Sequence, residues 1–211
     1  MNRLLSLIII LLLLAGCTPM TNTEDVQITV GSFDDLNYQN DYFHLGFTLT
    51  KNWDAYDAKR LAKRYNMKLR VMDDAYNSSD ALKKRSSFPL AYASKYPVGK
   101  SIDITPALEV IATKLDDANT TATDFLAQYQ KGLDANKVDY EVVENRESTL
   151  GDVPCTLLRL SIKDEPRDFT QITYCTIIKG YAITFTGCYS AQRDGKDMAI
   201  ILESIYINNK Y

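Results

Sequence analysis

The chain has 211 residues, and its 24 lysines and arginines against 27 aspartates and glutamates give a formal net charge of −3 at pH 7. This balance excludes a nucleic-acid-binding protein, which needs a basic face, and it excludes a polybasic patch for a membrane surface. The length suffices for one domain with a hydrophobic core, and the 14 tyrosines indicate sheet packing or, as the alternative, a binding surface.

An apolar run begins close to the N-terminus. Arg3 supplies a positive charge, and residues 4–14 follow with a single polar side chain. This pattern is typical of a signal peptide, and the run is shorter than the ~20 apolar residues that a spanning helix needs. The letters LAGC at residues 14–17 then resemble the lipobox of bacterial lipoproteins. An ordinary secretory signal and a buried helix are the alternatives.

The lipobox resemblance implies that diacylglycerol alkylates the Cys17 thiol and that cleavage occurs just before this residue. Stable anchoring usually takes two acyl chains, and a diacylglyceryl group supplies two. Residues 1–16 are therefore expected to be a signal peptide, and residues 17–37 a lipidated, mostly polar tether. The protein is expected on the extracytoplasmic side of a cell membrane, with a Gram-positive surface favoured.

The folded domain is predicted over residues 38–207. The stretch DYFHLGFTLT alternates with a period of two and predicts a strand. The following KNWDAYDAKRLAKRYN predicts a helix with Asn52 as its N-cap, because its apolar residues recur at helical spacing. These residues are Ala58, Leu61, Ala62 and Tyr65.

The middle of the chain predicts a helix from about Ser79, a strand over residues 90–95 and a second strand in ALEVIATKL. The clearest helix is TTATDFLAQYQKGLDAN, in which Thr121 and Asp124 have the spacing of a capping box. Its predicted buried stripe contains Phe125, Leu126, Tyr129 and Leu133.

The last third of the chain predicts a strand in YEVVENRES, followed by a meander of three antiparallel strands in VPCTLLRLSIK, FTQITYCTIIK and YAITFTGCY. Turns are expected at residues 163–168 and at the Lys179-Gly180 pair. The stretch KDMAIILESIYI predicts a closing helix. Helices that cover an antiparallel sheet define an α+β fold in layers.

Four stretches in this order resemble the PsbP-like fold, including small Gram-positive lipoproteins that carry it. They are YQNDYFHLGFTLTKNWDAY, ATDFLAQYQKGL, the strand YAITFTGCY that ends the meander, and the terminal ILESIYI. One departure is Lys51, where family members often have proline two residues before the tryptophan. The resemblance covers residues 38–207 and implies an α/β/α sandwich. It also implies a binding or assembly-accessory module without a catalytic residue, and it carries over no cofactor.

Catalytic and metal sites find little support in the sequence. His44 is the sole histidine, and one histidine does not make the usual zinc site without thiol ligands. The stretch DDANTTATDF has oxygen ligands at alternate positions, but it lacks the glycine and the final glutamate of a calcium loop. Glycine-rich phosphate loops, Gly-x-Ser-x-Gly and Cys-x-x-Cys are absent from the sequence. We therefore predict no metal, no cofactor and no enzyme.

Three further cysteines, Cys155, Cys175 and Cys188, lie on successive predicted strands. If residue 162 pairs with residue 168 across the turn, Cys155 faces Cys175 at a spacing that suits a disulfide, and a slip of one residue breaks this pairing. The sequence thus predicts either one disulfide and a free thiol, or three reduced, buried thiols.

The leading interpretation is a lipid-anchored module that binds a partner or assists a membrane complex, with an unknown envelope protein or small ligand as the partner. A small-ligand carrier for a transporter is the alternative, and a cell-envelope hydrolase that uses His44 is a weaker one. Candidate binding aromatics are Tyr174, Tyr181 and Tyr189 on the meander, because an exposed aromatic patch on a sheet marks a binding surface.

Overall fold

The computed structural model describes residues 27–57, 78–96, 105–163 and 168–208. Within these ranges the chain forms eleven strands and three helices. The strands are β1 Ser32–Asp34, β2 Asn37–Asn40, β3 Leu45–Thr48, β4 Asp54–Asp57, β5 Ser87–Ser94, β6 Ala107–Lys114, β7 Tyr140–Leu150, β8 Val153–Ile162, β9 Phe169–Ile178, β10 Tyr181–Tyr189 and β11 Tyr206–Ile207. The helices are α1 Ser79–Lys83, α2 Ala122–Ala135 and α3 Gln192–Glu203.

The large sheet has seven antiparallel strands in the order β4-β5-β6-β10-β9-β8-β7. The predicted strand in YEVVENRES and the predicted meander form its β7-β8-β9-β10 half. The β9–β10 hairpin turns at Lys179 and Gly180, which both have positive φ, at 51° and 78°. Two central residues with positive φ are the requirement of a type I′ turn, whose twist matches that of the flanking strands. The predicted turn at this pair is confirmed.

Each face of the large sheet covers its own hydrophobic core. Helix α2 packs on β8 and β9 through Leu126, over a core that includes Leu158, Leu160 and Cys175. Helix α3 packs on β10 on the opposite face through Met198 and its apolar neighbours. A four-stranded sheet in the order β1-β2-β3-β11 contributes to this second core. The architecture is the α+β fold in layers that the sequence predicts.

Helix α2 begins as its sequence indicates. The Thr121 side chain accepts a hydrogen bond from the Asp124 backbone N–H, and the Asp124 carboxylate accepts one from the Thr121 backbone N–H, each at 3.1 Å. These reciprocal bonds satisfy two backbone donors that the first helical turn leaves open. The hydrogen bonds from Thr121 also hold the pKa of the Asp124 carboxyl below its ordinary value. The capping box is confirmed.

The structure corrects the predicted helix after Asn52. Residues Asp54–Asp57 form strand β4, which pairs with β5, and Asn52 itself has a φ of 75°. An N-cap residue has extended backbone angles, so Asn52 occupies a turn and cannot start a helix. The rest of that prediction, from residue 58 onward, lies outside the described residues.

The N-terminal boundary of the predicted domain also moves, and the closing helix is shorter than predicted. Ile28 is only 1% exposed and β1 lies at Ser32–Asp34, so the folded part begins before Tyr38, inside the segment expected to be a tether. At the other end, α3 stops at Glu203, and β11 pairs with β3 where the sequence predicts continued helix. Among the described residues, no helix is long and apolar enough to cross a membrane. Cys17 lies outside the described residues.

Candidate functional site

The three predicted tyrosines lie on the sheet face that carries α3, but only two of them reach the surface. Tyr181 is 6% exposed, and its ring packs at 5.4 Å from that of Phe43 and 5.9 Å from that of Phe88. This burial removes Tyr181 from the exposed aromatic patch that we expected. Tyr189 is half-buried, with its ring against Gly195 in the first turn of α3.

Tyr174 lines an open cleft of about 410 Å³ between α3 and the β7 edge of the large sheet. The apolar lining comes from both layers, and it includes Leu150, Ile172 and Leu202. Arg159 on β8 and Glu203 at the end of α3 supply charge. The volume lies within the range of small-molecule sites, roughly 300–1,000 Å³. We call this feature the α3 cleft.

Arg159 is the strongest polar group of the α3 cleft. Its Nη1 forms an ion pair with the Glu144 carboxylate at 3.1 Å, whereas its Nε is buried and has no hydrogen-bond partner. Glu144 also accepts from Nε of Arg146 at 2.6 Å, and this hydrogen bond is the main reason why the pKa of Glu144 lies below its ordinary value. A buried donor without an acceptor costs free energy, and this Nε, being buried, is not open to a ligand in the cleft.

Tyr174 shares the electrostatic environment of this arginine pair. Burial raises the pKa of its phenol, and the nearby Arg159 and Arg146 oppose that rise. The hydroxyl is therefore neutral at physiological pH, because its ordinary pKa is about 10. A neutral phenol offers both a donor and an acceptor beside the guanidinium group.

Sequence reasoning missed Arg159. The signal was present, because Arg159 interrupts the apolar stretch VPCTLLRLSI on the same alternating phase as Cys155 and Leu157. A charged residue on the buried phase of a strand indicates either an ion pair or a site. The charged partner, Glu144, lies on β7 directly opposite Arg159.

A second polar feature lies on the sheet face under α2. Gln171 donates to the Tyr129 hydroxyl at 2.8 Å, and the hydroxyls of Thr173 and Thr186 are 3.3 Å apart. Both Gln171 and Thr173 are buried. This polar row was also missed by the sequence reasoning, although residues 171 and 173 alternate onto one face of β9. The side chains of this row form hydrogen bonds with one another, so we assign the row a structural role.

The disulfide between Cys155 and Cys175, one of the two alternatives that the sequence left open, is not formed. Ile162 pairs with Phe169 and not with residue 168, so the register differs by one residue from the predicted one. Thr156 consequently lies opposite Cys175, and Cys155 points to the other face of the sheet. Cys155 and Cys175 therefore belong to different cores and are free thiols in the structure.

The three thiols are unsuited to nucleophilic chemistry. Burial is the main cause that raises the pKa of Cys155 to about 11 and those of Cys175 and Cys188 to about 12. The thiolate is the reactive form of cysteine, and at neutral pH these groups are protonated. A Cys-His nucleophile pair has no activated thiol among these three.

His44 lies in the turn before β3, with a φ of 50°. Its Nε2 is 3.5 Å from Nζ of Lys179, which donates to the Tyr42 carbonyl at 2.7 Å. Burial, followed by the charge of Lys179, lowers the pKa of His44. His44 thus links a turn of the small sheet to the β9–β10 hairpin. Among the described residues, no group of three histidine, cysteine or acidic side chains is placed to hold a metal ion.

No protein-family model matches the chain, and no curated protein sequence matches it. Among solved structures, the chain is similar to cyanobacterial PsbP (CyanoP) from Synechocystis sp. PCC 6803, with a TM-score of 0.53 and 14% identity over 84% of this chain and 96% of that one. LpqN, involved in cell envelope biogenesis of Mycobacterium tuberculosis, aligns with a TM-score of 0.46 and 11% identity over 78% of this chain and 83% of that one. The first similarity shows that the fold is PsbP-like.

Proposed function

We propose that the chain is a lipid-anchored, extracytoplasmic binding or assembly-accessory module that catalyses no reaction. The observation that carries the proposal is the apolar run that ends in LAGC, because it supplies both an export signal and a thiol for lipid attachment at Cys17. The PsbP-like fold supports it as a domain without a built-in catalytic motif. Fold alone does not determine function, so the remaining support comes from the side chains.

The side chains favour binding over catalysis. The described thiols are held in the protonated form by burial. The α3 cleft, in contrast, combines apolar side chains from two layers with the partly exposed guanidinium of Arg159. Such a combination is typical of a binding site.

The proposed anchor places the domain close to the membrane. Residues 18–26 separate Cys17 from the first described residue, and a fully extended chain gains at most about 3.6 Å per residue. The nearest part of the described domain then lies within about 36 Å of the bilayer surface. A partner is therefore expected to be a membrane protein, or an envelope protein held near the membrane.

A ligand carrier for a transporter is the second candidate function. The α3 cleft favours it, because its volume of about 410 Å³ matches a small molecule better than a protein segment. A cell-envelope hydrolase that uses a cysteine nucleophile is disfavoured, because burial keeps the three described thiols protonated.

Crosslinking in the native cells tests the proposal. The full chain with a C-terminal tag is crosslinked, captured from the membrane fraction and identified together with its partners by mass spectrometry; Cys17→Ser is the matched control. The proposal expects a reproducible envelope protein with the wild type and loss of both membrane association and that partner with Cys17→Ser. Membrane association without any protein partner, together with a bound small molecule in native mass spectra, would favour the carrier.

A further inference from the structure

We propose that strand β7 pairs with β7 of a second copy of this chain, in the antiparallel direction and about a two-fold axis at Asn145. The inference goes beyond the proposed function and does not depend on the lipid anchor. It rests on the free edge of the large sheet and on the order of the charges along β7.

The outer edge of β7 is exposed. β7 is the last strand of the seven-stranded sheet, and within the described ranges it pairs only with β8. Seven of its eleven residues are exposed, and Val142 and Val143 are 46% and 56% exposed. An edge strand presents backbone N–H and C=O groups along its free side, and another strand can pair with them. The side chains and the backbone of β7 are therefore accessible to a second chain.

Strand β7 has few of the features that protect a sheet edge. Residues 140–150 contain neither lysine nor proline, which proteins commonly place on edge strands to prevent pairing. The bulge between Val142 and Glu144 lies in the N-terminal half of the strand. Residues 144–150 pair with β8 without a register shift, so this part of β7 is a regular strand that a second copy can extend.

The charges of β7 favour one register near the middle of the strand. Residues directly opposite in an antiparallel pair direct their backbone groups either both toward the partner or both away from it, so a two-fold pair is centred on a residue. A centre at Glu144 places two carboxylates opposite each other, and a centre at Arg146 does the same with two guanidinium groups. A centre at Asn145 places Glu144 of each copy opposite Arg146 of the other. Opposite charges stabilise a cross-strand pair, whereas like charges destabilise it.

Arg146 can contact the second copy without losing its present contacts. Its side chain is 55% exposed, with Nε at 2.6 Å from the Glu144 carboxylate of the same chain. Its Nη1 donates to the Glu147 carbonyl at 3.1 Å. A guanidinium group has five N–H donors, so donors remain for Glu144 of the second copy. In the same register Val143 lies opposite Glu147 of the second copy, whose methylene groups can cover it.

Disulfide trapping tests the proposal. A single strand pair buries less than the ~1,200 Å² of a stable complex, so the pairing is expected to be transient and a covalent trap suits it. Opposite residues have Cα atoms about 4.5–5.5 Å apart, which a disulfide can bridge. The purified full chain with Asn145→Cys, in a non-ionic detergent, is oxidised with diamide and analysed by non-reducing electrophoresis and mass spectrometry. We expect a disulfide between two copies of the introduced cysteine.

Thr149→Cys is the matched control. Thr149 is exposed like Asn145, and it lies four positions further along β7 and therefore on the same face. In the proposed register two copies of this position are separated by about 26 Å along the strands, which is too far for a disulfide. Asn145→Cys is expected to form at least about 10-fold more dimer than Thr149→Cys. The wild-type chain measures any disulfide that forms through its own cysteines.

Charge reversal tests the register. Arg146→Glu, combined with Asn145→Cys, places carboxylates opposite each other in both cross-strand pairs and is expected to reduce the trapped dimer at least about 5-fold. Arg193→Glu makes the same change of charge on α3, at a side chain that is 76% exposed. This control is expected to leave the amount of dimer unchanged. Circular dichroism of each variant checks that the fold is retained.

The outcomes separate a second copy from other occupants of the edge. The proposal is overturned by the absence of a dimer with Asn145→Cys, by equal dimer with Thr149→Cys, or by an undiminished dimer in a folded Arg146→Glu variant. If Arg146→Glu does not fold, the comparison of Asn145→Cys with Thr149→Cys decides. In membranes of the native cells, a disulfide from the introduced cysteine to a different protein, without the dimer, would also contradict the proposal.

Discussion

Replacing Gly187 by alanine perturbs the contact that holds α3 on the sheet. Gly187 lies on β10, and a Cβ atom at this position would lie 2.6 Å from Sδ and 3.0 Å from Cγ of Met198. Met198 is 1% exposed, so its side chain does not move aside into solvent without losing burial. Overpacking of a core in this way costs about 1–3 kcal/mol, and we expect Gly187→Ala to lower the free energy of unfolding by that amount.

Gly132→Ala is the matched control. Gly132 lies in α2, and a Cβ atom there meets no other atom within 4 Å. Alanine in a helix is favoured over glycine by about 0.5–1 kcal/mol, so this variant is expected to be more stable than the wild type. The two substitutions are chemically identical and are predicted to act with opposite sign.

Urea unfolding of the full chain, followed by far-ultraviolet circular dichroism, measures both effects. A double variant with Met198→Ala sharpens the test, because the added methyl group then enters space that the truncation opens. The decrease in the free energy of unfolding of the double variant is expected to be about 1 kcal/mol smaller than the sum of the decreases in the two single variants. Additive losses, or a Gly187→Ala variant as stable as Gly132→Ala, would refute the packing of α3 against β10.

Three further predictions concern the cap, the thiols and the histidine. Thr121→Ala removes the side-chain acceptor of the capping box and is expected to lower the free energy of unfolding in urea by about 1 kcal/mol. Thr121→Ser keeps a hydroxyl acceptor and is expected to retain most of that stability. The thiols of β8, β9 and β10, with pKa values of about 11 to 12, are expected to react with iodoacetamide at pH 8 about 100-fold more slowly than in the unfolded chain; equal rates would contradict their burial. Because the pKa of His44 is lowered, the folded chain binds fewer protons there than the unfolded chain, so stability falls as the pH drops below about 6.5. Lys179→Met is expected to raise the pKa of His44 in an NMR titration, and no change would contradict the contact with Lys179.

The sequence predicted the meander because its local signals agree. Apolar residues alternate along β8, β9 and β10, and the Lys179-Gly180 turn fixes the β9–β10 register with only two residues. The β8–β9 register was predicted one residue away from the observed one, because the longer connection of residues 163–168 does not fix a register by itself. That single residue decides whether Cys155 and Cys175 share a face.

The helix predicted after Asn52 shows the limit of periodicity. Ala55 and Tyr56 lie inside the stretch predicted as a helix, yet they pair with β5 residues more than thirty positions away. Local pattern contains no information about such a partner, and tertiary pairing overrides propensity. Arg159 was missed for the same reason, since its role depends on Glu144 across the strand pair and on α3 above it.

The most direct test of a lipid-anchored binding module is the mass of its mature N-terminus. The protein is extracted from the membranes of its native cells, digested, and its N-terminal peptide is analysed by mass spectrometry. The account predicts a peptide that begins at Cys17 and carries a diacylglyceryl group on the cysteine sulfur. A chain that retains the segment before Cys17, or that begins elsewhere with an unmodified Cys17, would contradict the anchor and with it the proposed place of action.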